Sequence, residues 1–180
     1  MLEPIQPWPS EDEPSSNFLW LSLSYAEAAS VLCDALASDD FTRQYTSTRV
    51  IIYLCRHAAE LYLKGAIAAK THGQPPKTHR LEVLYATYSK LYASSEFHFD
   101  VPFQNEAMDF HEGLFPGTLA TFQASHDQRY RYPVDNAGKP FIESEAFDIP
   151  SYGGKIARFR QQLNGLVVRI EYAPKVGLKP

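Results

Sequence analysis

From Thr42 to Thr71 the chain reads TRQYTSTRVIIYLCRHAAELYLKGAIAAKT, a run with no proline whose one glycine, Gly65, is followed by further good helix formers. At helical period Ile51, Leu54, Cys55, Ala58, Tyr62 and Ala69 fall on one face. Val50, Ile52, Leu61, Leu63 and Ile67 make much of the remaining circumference apolar. A helix apolar nearly all round is packed on several sides, so this run is expected to be the spine of the domain, roughly 45 Å long. One polar stripe survives on it: Arg49, Tyr53, Arg56, Glu60 and Lys64.

Around this spine the sequence divides simply. Residues 1–17 are rich in proline, acid and serine and read as an extended tail, residues 18–173 as one helical domain, and residues 174–180 as a short basic tail. Ser24 and Glu27 have the spacing of a capping box, which predicts a first helix over about 25–38. Asp39 and Asp40 suit the start of the second. The spine is expected to stop at Gly73, with Pro75 and Pro76 just beyond. Leu81, Leu84, Tyr85, Tyr88, Leu91 and Tyr92 predict a third helix over about 79–93, antiparallel to the spine across a short link. Phe103, Ala107, Phe110 and Leu114 predict a fourth, and a short helical piece around 118–124 is expected after it. Asn136-Ala137-Gly138 predicts a turn between two short extended arms, a hairpin or irregular insertion near 126–148. Ile156, Phe159, Leu163, Leu166, Val167 and Ile170 predict a last helix over about 152–171. The expected fold is all-α, an up-down bundle of about five helices.

A chain of 180 residues can bury a core without staples. The two cysteines, Cys33 and Cys55, both sit at apolar helical positions and read as buried free thiols. The N-terminus lacks a basic region followed by an apolar run, and no apolar stretch is long enough to span a bilayer, so a cytoplasmic protein without membrane contact is expected. Net charge is −4, so any grip on nucleic acid must come from a local basic patch. The tip of the spine is basic, with Lys64, Lys70, His72, Lys77, His79 and Arg80 close in sequence.

Phosphate-loop, dinucleotide, nucleophile-elbow and paired-cysteine metal motifs are all absent, and His111-Glu112 lacks the second histidine of a metal motif. No metal or cofactor is expected. Two groupings carry chemistry. In the stripe, Glu60 precedes Lys64 by one helical turn and follows Arg56 by one, which favours a solvated, self-paired face. The other reading has Arg56, His57, Glu60 and Lys64 lining a cleft. In HDQRYRY, His126 lies beside Arg129, Arg131, Tyr130 and Tyr132, a set able to hold a phosphate, stack a base and move a proton. A packed loop with its arginines paired to nearby acids explains the same residues.

At RHAAELYLKGAIAAK, followed by KTHRLEVLY, the chain resembles the HEPN superfamily of helical domains. The resemblance rests on an alanine-rich E-x-x-x-K helix, matched by Glu60 and Lys64, and on a T-H-x-L element, matched by Thr78, His79 and Leu81. Arg131, Tyr132 and Pro133 are similar to a further Arg-Tyr-Pro segment of some members. The resemblance implies an up-down bundle, homodimerisation, and a toxin–antitoxin or anti-phage setting, in some members beside a nucleotidyltransferase. Many members are metal-independent RNases with an R-x4–6-H motif. No arginine here precedes a histidine at that spacing, Arg49 and His57 being too far apart. The first expectation is therefore a non-catalytic module that binds nucleotide, RNA or a protein partner through Arg56, Glu60, Lys64, His79 and Arg131. The rivals are an RNase with a rearranged site, using His57 or His126 with Arg129 or Arg131, and a purely structural interaction protein.

Overall fold

The computed structural model describes residues 14–38, 44–100, 131–134, 136–140 and 149–172. They form four α-helices, α1 (Pro14–Ala37), α2 (Gln44–Thr71), α3 (Leu81–Leu91) and α4 (Ile149–Tyr172), with a 3₁₀ turn at Ser95–Phe97. No strand occurs among the described residues; one antiparallel bridge, Val134 to Pro140, closes the Asn136-Ala137-Gly138 turn, where Gly138 takes φ +75°. The all-α expectation holds. The helix expected at 103–114 and the piece around 118–124 lie outside the described residues. No described helix is long and apolar enough to cross a membrane.

The spine behaves as its composition requires. Every residue of α2 from Ala58 to Ala68 is buried. On one side it meets α1 through small residues. A Cβ built on Gly65 would lie 2.9 Å from both Leu19 Cγ and the Ser15 carbonyl oxygen, so only glycine permits this approach. Ser22, Ala26, Ala29 and Ser30 of α1 are buried as well, and Cys33 and Cys55 are buried free thiols. Burial pushes both thiols up, Asp34 adding to the effect at Cys33 and Cys33 itself at Cys55.

α1 also packs on α4, and the contacts fix their direction. Ser16 Oγ donates to Glu171 Oε2 at 3.1 Å near one end, and Arg160 Nη1 pairs with Glu27 at 2.9 Å farther along. Each step forward on α1 matches an equal step back on α4, so the two are antiparallel. The first helix starts eleven residues before the expected position, at Pro14 rather than 25. Proline suits a first helical turn, and Leu19 upstream of the expected start is wholly buried against Gly65. The capping-box expectation is therefore wrong: Ser24 lies inside the helix, where its hydroxyl faces the Trp20 carbonyl.

The α2–α3 link also corrects an expectation. Partners on the two helices advance together, Tyr62 with Tyr88 and Ala66 with Tyr92, so the pair is not an antiparallel hairpin. α2 ends with His72 in the left-handed conformation (φ 51°) and the Gly73 amide donating to the Ala68 carbonyl. The chain then runs back extended through Pro75 and Pro76 until His79 reaches the level of Glu60. Extended chain covers about 3.3 Å per residue against 1.5 Å for helix, so this short link spans the return easily.

Aromatic rings fill the space between α2, α3 and α4. Tyr62, Tyr88 and Phe99 pack mainly edge to face, and Phe99 also meets Phe159 of α4. Each buried hydroxyl is satisfied. The Tyr88 hydroxyl donates to the Phe97 carbonyl at 2.7 Å and so accepts from Tyr62, also at 2.7 Å, while Tyr92 donates to the Ala66 carbonyl at 2.9 Å. Arg169 of α4 pins the 3₁₀ turn through Glu96 at 2.9 Å.

The two kinds of helical glycine separate in experiment. Gly65→Ala is expected to destabilise the fold by about 1–3 kcal/mol through overpacking at the α1–α2 contact. Gly165, in α4 with open space around it, should gain up to about 1 kcal/mol when changed to alanine. Thermal unfolding of both variants checks the opposite signs.

Candidate functional site

The site is built on the polar stripe of α2, which the fold does not leave in water. Glu60 and Lys64 retain only 9% and 7% of their accessible surface. Lys64 Nζ donates to Glu60 Oε1 at 2.8 Å, the ion pair that their one-turn spacing predicts. The expectation of a solvated face fails here because the returning link and the neighbouring helices cover this part of α2. From that link His79 places Nδ1 2.8 Å from the same oxygen, Oε1. His57 Nδ1 lies 3.9 Å from the other oxygen, Oε2, an ion-pair distance rather than a hydrogen bond.

Glu60 is thus a buried carboxylate approached from three sides. Burial on its own would raise its pKa. The hydrogen bond and charge of Lys64, with the imidazoles of His57 and His79 beside the carboxylate, outweigh that and hold it down to about 2. It is ionised, and an ionised carboxylate only accepts hydrogen bonds. His79 must therefore carry its proton on Nδ1, where it donates to Glu60. Its ring is otherwise open, with 59% of the side chain exposed.

Towards the N-terminal end of α2 the stripe becomes aromatic. The His57 ring meets Tyr25 of α1 edge-on, with centroids 4.6 Å apart, and stacks on Tyr53 at 5.5 Å with an 11° interplanar angle. Arg131 places its guanidinium carbon 5.8 Å from the Tyr53 ring centroid and 5.4 Å from that of Tyr132. Arg49 Nη2 donates to the Tyr132 carbonyl at 3.3 Å, tying this segment to α2. Burial pushes the Tyr53 phenol up, and Arg131 offsets part of the shift.

A continuous line of contacts therefore runs from Arg131 through Tyr53, His57 and Glu60 to Lys64 and His79. It brings together five of the residues singled out in sequence: His57, Glu60, Lys64, His79 and Arg131. Arg56 sits on the same stripe, half-buried. His126 and Arg129 lie outside the described residues. Sequence reading did not mark Tyr25 as a member, because its contact with His57 exists only once α1 packs on α2. Tyr53 was visible as the one ring in the polar stripe, the signal that could have marked it as a stacking group. Among the described residues no set of three His, Cys, Asp or Glu side chains is arranged to hold a metal ion.

In comparisons with known proteins, no family model, no curated protein and no solved structure matches this chain.

The cluster has a definite pH signature. Glu60 is held well below the ordinary glutamate value of 4.5 in the folded protein, so its contribution to stability is full above that pH and is lost as pH falls towards about 2. Glu60→Gln leaves Lys64 buried without its counter-charge and is expected to cost about 3–5 kcal/mol near neutral pH. The gap between wild type and variant should narrow as pH falls from about 4.5 to about 2. Chemical denaturation of both proteins across that range measures it.

Proposed function

We propose that this chain is a non-catalytic, HEPN-like module that binds RNA or a nucleotide along the polar stripe of α2. The observation that carries this reading is the Arg131–Tyr53–His57 stack. It holds an exposed guanidinium over aromatic rings beside a further exposed ring, Tyr132. Guanidinium and phenol groups presented together suit phosphate and base contact at once. The basic side chains of Lys70, His72, Lys77, His79 and Arg80 are all exposed around the end of α2 and the following link, adding positive potential where an anionic strand would pass.

In this reading the side chains divide their work by burial. Glu60 and Lys64 are too enclosed to meet a strand and serve as the internal frame. Arg131 and His79 meet the ligand, and Arg56 supports them from the stripe. His57, wedged between Tyr25 and Tyr53, orients the stack. The resemblance to HEPN domains adds the wider expectation of a homodimer in a toxin–antitoxin or anti-phage setting, with a nucleotidyltransferase or another protein as partner.

Fluorescence anisotropy with labelled single-stranded RNA, in EDTA and at several salt concentrations, tests the proposal. Binding is expected to weaken as salt rises, without cleavage. Arg131→Ala should reduce affinity roughly tenfold and lower the salt slope by about one. Cleavage that His57→Ala abolishes in a folded protein would replace this reading with that of a rearranged RNase. Neither binding nor cleavage would leave the stripe a structural element.

A further inference from the structure

Within that reading, the geometry points to His79 Nε2 as the atom that receives a phosphate oxygen, and to its proton as the condition for binding. The inference starts from the tautomer. Glu60 Oε1 can only accept, and His79 Nδ1 stands 2.8 Å from it, so the neutral imidazole keeps its one proton on Nδ1. Nε2 then carries a lone pair. Among the described residues it has no protein partner, and the side chain is largely exposed. A lone pair facing solvent repels the oxygens of a phosphate. When the imidazole takes up a second proton, Nε2 becomes a charged donor and the Nδ1 bond to Glu60 is kept.

The ring is also held where a ligand along α2 would find it. Glu60 follows Tyr53 by seven residues, so the helix positions that His79 and Arg131 contact stand about 10 Å apart along the axis, at the two ends of one line of contacts. An extended anion lying on the stripe would meet Arg131 at one end and His79 at the other. Glu60 is the carboxylate that His79 meets, Lys64 and His57 of α2 approach that same carboxylate, and Lys77 and Arg80 flank His79 along its own link. Arg80 is engaged by Glu82 of α3 at 2.6 Å, and Lys64 by Glu60. Of the two imidazoles in this set, His57 lies against the rings of Tyr25 and Tyr53, and His79 is the one with most of its side chain open to a ligand. Histidine is the side chain whose charge ordinarily changes between about pH 5 and 8, which makes the contact measurable under native conditions.

The experiment is the affinity of the full chain for a short labelled single-stranded RNA from about pH 8 to about pH 6, for wild type, His79→Gln and His79→Lys. Thermal unfolding first establishes that each variant folds. Wild-type affinity should rise roughly tenfold as pH falls, the gain from one charge-assisted hydrogen bond. His79→Gln should be weak and flat over the range. His79→Lys, with a fixed charge, should be flat and tight. The difference between wild type and His79→Gln is the quantity read.

Unlabelled AMP as competitor separates the two sources of phosphate. Displacement with the same pH profile assigns the contact to a nucleotide phosphate, and resistance assigns it to the RNA backbone; either supports the contact. If binding depends on Arg131 but wild type and His79→Gln share one pH profile, the inference about His79 is overturned and the binding module stands. If RNA does not bind at any pH, both are overturned.

Discussion

An ionised carboxylate enclosed in protein must be matched, and the whole arrangement around α2 answers to that constraint at Glu60. Lys64 supplies the nearest charge from the same helix, one turn away. His79 supplies a second donor to the same oxygen, from a different part of the chain. That second contact fixes the path of the link after α2, because His79 can reach Glu60 only if the chain doubles back along the helix. α3 then starts beside Glu60 and runs in the same sense as α2. A buried ion pair of this kind adds little net stability compared with an apolar pair of similar volume. Its effect here is to specify one route for the chain among several that apolar packing alone would allow.

The other faces of α2 are managed by two different means. Towards α1 the backbones come so close that Gly65 has no room for a Cβ, and the facing α1 residues are mostly small. Towards α3 and α4 the space is filled by tyrosine and phenylalanine rings whose hydroxyls find carbonyls or one another. The buried tyrosines behave as core residues with a polar tether. Tyr62, Tyr88 and Tyr92 are pushed up by burial, which keeps their hydroxyls as neutral donors for the bonds that join α2, α3 and the segment at Phe97.

The candidate site lies where these two regimes meet. Its inner half is the enclosed Glu60–Lys64 pair and its outer half the exposed Arg131, Tyr132 and His79 side chains. The stripe that carries it was legible in the sequence, because residues spaced at three and four share a helix face. Its burial was not. Helical spacing shows that Glu60 and Lys64 can pair but says nothing about what covers them, and on residue chemistry a solvated face was the simpler reading. The wedging of His57 between the edge-on Tyr25 ring and the stacked Tyr53 ring needed the α1–α2 packing to exist first.

By itself the sequence determined that the described part of this chain is helical, with α2 at its centre, since apolar periodicity and the scarcity of breakers act locally along each run. It also determined the turn at Asn136-Ala137-Gly138, the thiol state of Cys33 and Cys55, and the pairing of Glu60 with Lys64. Only the tertiary structure decided where α1 begins, which way α3 runs and which polar groups are enclosed. A start at Pro14 depends on Leu19 meeting Gly65, and the direction of α3 depends on His79 meeting Glu60. Both are contacts between residues far apart in sequence, and local propensity carries no information about them.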